Sequence, residues 1–437
     1  MNRNRRRVAI TGIGLVTPVG NDVATSWGAL LAGRSGGAEI TVFDASGFPV
    51  HIAAEVKGFR DDVIEDRRLL KFTTRSHRFA IAAADQALSD AGIRPTPADA
   101  TRWGCAVGAG MMTSEFVDLT ATHAHSAADA ELHPDLLLTD PAANDPLVFC
   151  RSQATAGIAL ITRRYGIRGY ATSVHTACAS GGQAVGTGLK LIRRGVADRV
   201  LAGGFDSMIS PIGMAGFCLL SALSPDNDTP QRASRPFDAT RNGFLLGEGA
   251  GFLVLEEWAA ARRRGARIYA ELAGDGNSLS SYRITDSPPD GDGPIQAMRA
   301  ALADAGAATS DVDYLNAHGT STGMNDRSES AATRAVFGAE AARLSVSSTK
   351  SSMGHLIAAA GAVEVAVCAL AIDRGELPVN ANYTTPDPDC ELNLVLGQPR
   401  RQRVRVAMSN SFGFGGSNSC VVLRHPGEVD GLPAAGA

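Results

Sequence analysis

The stretch "SVHTACASGGQAVGTGLKLIRRG", residues 173–195, places one cysteine, Cys178, where a strand pattern ends and a glycine-studded helix pattern begins. A structural cysteine usually behaves as a small hydrophobe within an apolar stripe. The free N–H groups and the positive dipole end at a helix N-terminus instead favour an anion, and they lower the pKa of a thiol placed there. This position predicts that Cys178 is a nucleophile.

The helix pattern that follows Cys178 occurs twice in the chain. "GGQAVGTGLKLIRRG" (181–195) and "GAVEVAVCALAIDRG" (361–375) both open with glycine and close with Arg-Gly after the same interval. "ADQALSDAGI" (84–93) and "MRAALADAGA" (298–307) form a second matching pair, each a helix pattern ended by glycine. The first pair is rich in small residues, which lets two helices pack closely in the middle of a protein. The chain is therefore predicted to contain two halves of similar topology.

Short, nearly continuous apolar runs such as "RVAITGIG" and "VRVAMSNS" alternate with the helix patterns. Such runs indicate strands in sheets that are covered on both faces. We predict an α/β fold with two sheets and central helices between them, layered α/β/α/β/α. The first half spans residues 1–260, with a polar insertion or cap at about 111–150, and the second spans 266–425 before a tail of 426–437.

Composition and charge indicate which partners and which cellular compartment to expect. The chain has 437 residues and a net charge of −4, which gives no indication of a nucleic-acid partner. Its seven cysteines show no CxxC pair or framework spacing, and no export signal is recognised, so we expect a cytoplasmic protein. Residues 353–372 have the length of a membrane span, but His355 and Glu364 lie among them, which favours a buried central helix over a span.

Three further clusters carry chemistry. "NAHGTSTGMNDRSE" places His318 in a turn after an apolar run, and "SSTKSSMGHLIAAAGAVE" places Lys350 and His355 at the entrance of the second small-residue helix. "MSNSFGFGGSN" is a glycine loop whose backbone N–H groups can approach a ligand closely. If a pseudo-two-fold axis relates the two halves, these ends converge with Cys178 on one site.

The motifs "HTACASGG", "NAHGTST", "SSTKSSMGHL" and "NSFGFGGSN", in this order, resemble those of the elongating β-ketoacyl-acyl-carrier-protein synthases of the thiolase-like superfamily. The resemblance runs from about residue 7 to 424. It implies a thiolase-like duplicated fold and a decarboxylative condensation with malonyl-acyl-carrier protein that yields 3-oxoacyl-acyl-carrier protein, in fatty acid or type II polyketide elongation. It also implies an acyl carrier protein as partner, phosphopantetheine that arrives on that partner, and no cofactor of the enzyme's own.

The resemblance also implies roles for individual residues. Cys178 would hold the growing acyl chain as a covalent thioester. The side chains of His318 and His355 would donate neutral ring N–H groups to the malonyl thioester oxygen. The backbone N–H groups of Cys178 and Phe414 would form the oxyanion hole for the acyl carbonyl.

Supporting roles follow from the same resemblance. Lys350 would add positive potential and order the His355 turn, paired with glutamates for which Glu329 and Glu364 are the candidates. The resemblance also implies contacts with the substrate. Thr320 and Thr322 would bind the pantetheine arm, Phe244 would line the malonyl pocket, Phe414 would gate access to Cys178, and Met111 would line the acyl pocket.

Some features depart from the family pattern. Tyr170 stands where a proline is usual, and His175 lies three residues before Cys178, for which we favour a structural or interface role. The stretch from Met111 to Cys178 is longer than usual, in the region that builds the acyl pocket and the dimer interface. His123 and His125 lie in a polar segment without a second ligand pair, so we predict no metal site.

The sequence also allows other functions for the chain. A chain-length-factor subunit shares the fold but lacks the nucleophilic cysteine, so the presence of Cys178 argues against that role. The chain is therefore expected to act as a homodimer, or as the catalytic subunit of a heterodimer with a chain-length-factor-like homologue. A thiolase would use a second cysteine as its base, and a cysteine protease would leave the Thr-rich and Gly-rich clusters unused.

Overall fold

The computed structural model describes most of the chain, namely residues 5–64, 66–110, 114–128, 131–132, 145–285 and 287–428. Met111, which the sequence assigns to the acyl pocket, lies outside these residues.

Strands and helices alternate along the described chain. The strands are β1 Val8–Val16, β2 Ala38–Glu39, β3 Ile52–Ala53, β4 Trp103–Ala109, β5 Ala127–Ala128, β6 Glu131–Leu132, β7 Ala171–Val174, β8 Arg199–Asp206, β9 Gly249–Glu257, β10 Ala270–Leu279, β11 Val312–Asn316, β12 Ser345–Ser347, β13 Glu376–Leu377, β14 Arg400–Arg401, β15 Val406–Phe412 and β16 Ser417–Arg424. The α-helices are α1 Val23–Leu31, α2 Arg67–Leu70, α3 Arg75–Ala91, α4 Phe116–Ser126, α5 Pro146–Ser152, α6 Ala156–Tyr165, α7 Ser180–Arg193, α8 Pro211–Leu219, α9 Trp258–Arg263, α10 Asp292–Ala305, α11 Gly323–Phe337, α12 Lys350–Met353 and α13 Ala360–Arg374.

Ten strands form one large sheet whose order repeats itself. From the middle outward, the first half runs β1-β9-β8-β4-β7 and the second runs β10-β16-β15-β11-β12. In each half the first two pairings are antiparallel and the last two are parallel. The predicted duplication of the fold is confirmed by this repeated order, while the residue limits given for the two halves stay predictions.

The sequence predicted two separate sheets, but in the structure the two half-sheets are joined. β1 pairs antiparallel with β10 through Ala9 opposite Glu271 and Ile10 opposite Ala270, which makes the sheet continuous across its middle. These are the matching first strands of the two halves. A repeat at the level of sequence carries no information on whether the two equivalent edges pair with each other.

Helices cover both faces of each half-sheet, as predicted. α7 contacts β4 and β8 of the first half and β10 and β16 of the second, and α13 likewise contacts strands of both halves. α3 and α6 cover the outer face of the first half, and α10 covers that of the second. Three apolar clusters fill the space between the layers, and the central cluster is built largely from α7, α13 and the strands around them. The sheet therefore encloses the two small-residue helices.

The membrane-like segment 353–372 is a buried part of this centre. Ala360 through Ile372 of α13 are all buried. Among the described residues, no helix is long and apolar enough to cross a membrane.

The predicted insertion at about 111–150 falls only partly within the described residues. Its described parts are α4, the short β5–β6 pair and the start of α5. Asp118 of α4 forms an ion pair with Arg151 of α5, and this pair ties the two helices together. The remainder of the insertion lies outside the described residues.

Glycines at the crossing of α7 and α13 let the two helices approach closely. A Cβ atom on Gly361 would lie 2.5 Å from the backbone nitrogen of Gly182, and one on Gly181 would lie 2.7 Å from that of Ala362. Both distances are shorter than a real Cβ contact tolerates, and the atoms met are backbone. The crossing therefore requires glycine, which explains the matched glycines that open the two helix patterns.

We predict that Gly361→Ala lowers the free energy of unfolding by about 1–3 kcal/mol, because the added methyl group overpacks the helix crossing. Gly28→Ala in α1 is the matched control, since a Cβ there meets no atom within 4 Å. Alanine in a helix interior is favoured over glycine by about 0.5–1 kcal/mol, so the control should be neutral or more stable. Urea titration of both variants measures the effect, and an equal response of the two would contradict the account of the crossing.

Candidate active site

Cys178 lies in a tight turn just before the N-terminus of α7. The 3-10 turn Ala177–Ala179 runs directly into α7, and Ala177 has a φ of 49°, a left-handed conformation uncommon for a residue with a side chain. The turn places the thiol, which is 6% exposed, on the wall of a cavity of about 380 Å³. Strand, strained turn and helix N-terminus together position the sulfur.

The structure brings the two predicted histidines to this cysteine. His355 Nε2 lies 3.0 Å from Cys178 Sγ. The rings of His318 and His355 meet edge to face, with centroids 5.2 Å apart, and all three side chains line the same cavity. His318 follows β11 of the second half, so both halves contribute to one centre.

The surroundings of His355 determine which ring nitrogen carries the proton. The backbone N–H of Ile357 donates to His355 Nδ1 at 3.2 Å, so Nδ1 is an acceptor and Nε2 carries the proton of the neutral ring. Burial lowers the pKa of His355 well below its usual value, and the Lys350 charge lowers it further. His355 is thus a neutral N–H donor aimed at the sulfur.

His318 is held by its backbone. The N–H groups of His318 and Gly319 donate to the two carboxylate oxygens of Glu329 at 2.9 and 2.7 Å, and Asn410 donates to the same carboxylate at 3.0 Å. Burial, then Lys350, then His355 lower the pKa of His318 well below its usual value. Burial therefore favours the neutral form of both histidines.

Lys350 and Glu364 form an ion pair in which both side chains are 1% exposed. Of the two glutamates named as candidates, Glu364 contacts Lys350, whereas the hydrogen bonds of Glu329 go to the His318 turn and to Asn410. Burial raises the pKa of Glu364 to about 7, and the adjacent Lys350 opposes that rise. The ion pair holds the lysine charge where it lowers the pKa of both histidines.

The expected lowering of the Cys178 pKa is wrong in its net direction. Burial raises the pKa of the thiol to about 12. Lys350 and hydrogen bonds from the backbone N–H groups of Phe414 and of Cys178 itself act in the opposite direction, but they are smaller than the cost of burying a thiolate. The sequence indicates that Cys178 lies at a helix N-terminus, but it does not show how deeply the thiol is buried.

Two backbone N–H groups converge on the sulfur. One belongs to Cys178 and the other to Phe414, in the glycine loop after β15. Gly413 lets this loop pass close to the turn, since a Cβ there would lie 2.7 Å from the carbonyl oxygen of Thr176. Gly415 has a φ of 81°, which favours glycine. The loop thus delivers one donor of a two-donor hole.

The remaining predicted substrate contacts, apart from Met111, line the same cavity. Thr320 and Thr322 lie on its wall with their hydroxyl oxygens 2.9 Å apart. Phe244 packs edge-on against the His355 ring at 5.4 Å, and Phe217 lies between Phe244 and Phe414, with ring centroids 5.3 and 6.5 Å away. Phe217, on α8, had no motif to indicate it in the sequence.

Cys178, His318 and His355 also meet the spacing of a metal-ligand set, with one donor atom from each within 4.8 Å of the others. A ligating histidine presents a bare nitrogen to the metal and donates its other ring N–H to an acceptor. His355 has the reverse arrangement, because its Nδ1 accepts from Ile357 and its Nε2 carries the proton. The hydrogen bonding of His355 favours a donor over a metal ligand.

His175 and Tyr170, which depart from the family pattern, lie away from the cavity. His175 is exposed and Tyr170 is 50% exposed, on either side of β7 at the edge of the sheet. The structure does not bring His175 to the thiol. Asp206, at the end of β8, is a buried carboxylate that the sequence analysis missed, although a charge that ends the apolar run "DRVLAGGFD" is a signal for it.

The chain matches two family models that together span most of its length. One is described as "Beta-ketoacyl synthase, N-terminal domain" and matches residues 5–261. The other is described as "Beta-ketoacyl synthase, C-terminal domain" and matches residues 269–384.

Curated and solved relatives cover nearly the whole chain. The 3-oxoacyl-[acyl-carrier-protein] synthase 2 of Coxiella burnetii is 40% identical over 420 residues, which are 96% of this chain and 98% of that protein. The ishigamide ketosynthase/chain length factor is 36% identical with a TM-score of 0.84, covering 96% of this chain and 99% of the other. A type II polyketide synthase acyl-carrier protein in complex with its ketosynthase includes a chain that is 32% identical, with a TM-score of 0.84 and the same coverage.

Proposed function

The chain belongs to the beta-ketoacyl synthase family, and on that premise we propose that it condenses an acyl group held on Cys178 with malonyl-acyl-carrier protein. The products are 3-oxoacyl-acyl-carrier protein and carbon dioxide, formed during fatty acid or type II polyketide chain elongation. The observation that carries this proposal is the neutral pair His318 and His355 beside Cys178 in one buried cavity. A pair of neutral donors suits an enolate oxygen.

The first half-reaction loads the enzyme. The sulfur of Cys178 attacks the carbonyl carbon of an acyl thioester, and the backbone N–H groups of Cys178 and Phe414 stabilise the tetrahedral oxyanion. The carbonyl then re-forms, the carrier thiolate leaves, and it takes up the proton that Cys178 gave up. Because the resting thiol is protonated, the N–H donors and Lys350 have their effect as negative charge develops on the sulfur.

The second half-reaction forms the carbon–carbon bond. The malonyl carboxylate leaves as carbon dioxide, and its electron pair forms an enolate whose oxygen accepts hydrogen bonds from His318 and His355. The enolate carbon attacks the acyl carbonyl on Cys178, and the thiolate of Cys178 leaves and takes up a proton from solvent. Donors fixed in a water-poor site act without reorganising when charge develops, which makes them effective there.

The other contacts take supporting roles. Burial favours the neutral form of both histidines, the charge of Lys350, held by Glu364, adds to this effect, and Glu329 fixes the turn that presents His318. Four residues contact the substrate. Thr320 and Thr322 bind the pantetheine arm, Phe244 lines the malonyl pocket, and Phe414 lies at the entrance to Cys178. The enzyme needs no cofactor of its own, because the phosphopantetheine arm belongs to the carrier protein.

The proposed partners are an acyl carrier protein and a second subunit. β7 is an edge strand of the sheet, and an unpaired edge invites pairing with another chain. The exposed His175 and Tyr170 beside it suit an interface. Sedimentation velocity should give a dimer, and a fully active monomer would contradict this assembly.

The seven cysteines are free, in keeping with a cytoplasmic enzyme.

A second candidate is the catalytic subunit of a ketosynthase/chain-length-factor heterodimer. It is favoured by the likeness, over 96% of the chain, to the ishigamide ketosynthase/chain length factor and to the type II polyketide ketosynthase. Copurification with a cysteine-less homologue would support this assembly, and a stable, active homodimer of this chain alone would favour the first.

We predict that Cys178→Ala abolishes the covalent acyl adduct and all condensation, since it removes the nucleophile. Cys178→Gln should also lose condensation but keep decarboxylation of malonyl-carrier protein, because His318 and His355 remain. Intact-mass analysis after incubation with acyl-carrier protein detects the adduct. Cys150→Ala is the matched control, since this thiol is exposed and lies outside the cavity. An undiminished acyl adduct on Cys178→Ala would remove Cys178 from its role.

We predict that His318→Ala and His355→Ala each lower malonyl decarboxylation by about 10²-fold or more, the usual cost of losing one oxyanion donor. Self-acylation of Cys178 should fall much less, because that step uses the backbone donors. Release of carbon dioxide and formation of the acyl adduct are measured separately on the same folded preparation. Equal losses in both steps would contradict the division of labour between the two sets of donors.

A further inference from the structure

The end of β8 carries a buried carboxylate, Asp206, that the proposed reaction does not use. Asp206 is 1% exposed. Its Oδ2 accepts the backbone N–H of Ala358 at 3.1 Å, and its Oδ1 accepts that of Ser207 at 2.8 Å. A buried carboxylate that accepts two backbone N–H groups has the hydrogen-bonding pattern of an oxyanion in its hole.

The duplication of the fold explains this likeness. The spacing that matches residues 181–195 with 361–375 sets Ala358 in the place of Cys178. The turns agree, since Ala177 and Ile357, the residues just before, both have left-handed φ values, of 49° and 47°.

The strands that precede the second N–H donor of each site, β15 in one half and β8 in the other, correspond as well. Phe205 of β8 pairs with the second residue of β9, and Phe412 of β15 pairs with the second residue of β16. Asp206 therefore takes the place of Gly413, and Ser207 takes the place of Phe414.

The two halves thus contain equivalent holes with different contents. In one, the N–H groups of Cys178 and Phe414 face the sulfur, and Gly413 leaves the space open. In the other, the N–H groups of Ala358 and Ser207 are taken up by the side chain of Asp206. The second hole is filled from within the chain and is closed to substrate.

The filled hole adjoins the catalytic histidine. Ile357 is β-branched, and a left-handed φ is a strained conformation for such a residue. Its own N–H donates to His355 Nδ1, and the next N–H, of Ala358, donates to Asp206. Two consecutive N–H groups of one strained turn thus hold the His355 ring on one side and the carboxylate on the other.

We propose that Asp206 is a positioning residue, which fills the second oxyanion-type hole and thereby holds the Ile357 turn that fixes the His355 ring and its Nε2 proton. This inference rests on the proposed function, because it assigns to Asp206 an effect on the step that uses His355. Acylation of Cys178 uses the other hole, and Asp206 acts there only through its charge, which raises the pKa of the thiol.

The test compares Asp206→Ala and Asp206→Asn with wild type in two separate assays: carbon dioxide release from malonyl-carrier protein and acylation of Cys178. Glu256→Gln is the matched control for loss of a buried carboxylate in the same sheet. Glu256 is 0% exposed and binds Thr11, Arg199 and Arg264, and its cross-strand partner is Arg199, at the far end of β8 from Asp206.

Asp206→Ala should lower kcat for decarboxylation at least about tenfold, since a misplaced catalytic group costs up to about 10²-fold. Its KM for malonyl-carrier protein should change little, and its rate of Cys178 acylation should not fall, because loss of the Asp206 charge favours the thiolate. Asp206→Asn, which keeps one acceptor and nearly the same volume, should recover part of the loss, and Glu256→Gln should leave the ratio of the two rates as in wild type.

Unchanged decarboxylation in Asp206→Asn and Asp206→Ala would overturn the proposal, and so would parallel loss of both steps in folded protein. Failure of the wild-type enzyme to decarboxylate malonyl-carrier protein would instead overturn the proposed function. The two failures are therefore distinguishable.

Discussion

The close crossing of α7 and α13 is the contact on which the site depends. Because Gly181 and Gly361 carry no side chain, the two helices approach backbone to backbone between the half-sheets. Their N-terminal turns, one bearing Cys178 and the other preceded by His355, then meet at one point. A chain built from two similar halves thus forms one asymmetric centre, with the nucleophile from one half and both histidines from the other.

Burial sets the protonation states at this centre, and Lys350 adjusts them. Burial lowers the pKa of both histidines and raises that of the Cys178 thiol, so the three groups rest neutral. The lysine charge favours this state of the histidines and opposes that of the thiol. The same positive charge therefore helps to keep both rings as neutral N–H donors and assists the sulfur as it becomes an anion. The ion pair with Glu364 keeps this charge in place.

Much of this could be predicted from the sequence, because it lies in local patterns. The repeated helices indicated the duplication, four ordered motifs indicated the family, and both the repeated strand order and the family match confirm those predictions. What could not be predicted depends on contacts distant in the chain. The pairing of β1 with β10, the choice of Glu364 over Glu329 as partner of Lys350, and the burial that raises the Cys178 pKa each require the folded structure.

The central claim is that His318 and His355 are neutral N–H donors, with the proton of His355 on Nε2. The most direct measurement is ¹⁵N NMR of selectively histidine-labelled protein between about pH 6 and 8, around the ordinary histidine pKa of about 6.5. His318→Ala and His355→Ala assign the two rings by loss of signal. The account predicts that both rings stay neutral throughout and that His355 Nδ1 carries no proton. Titration of either ring near its ordinary pKa, or a proton on His355 Nδ1, would contradict it.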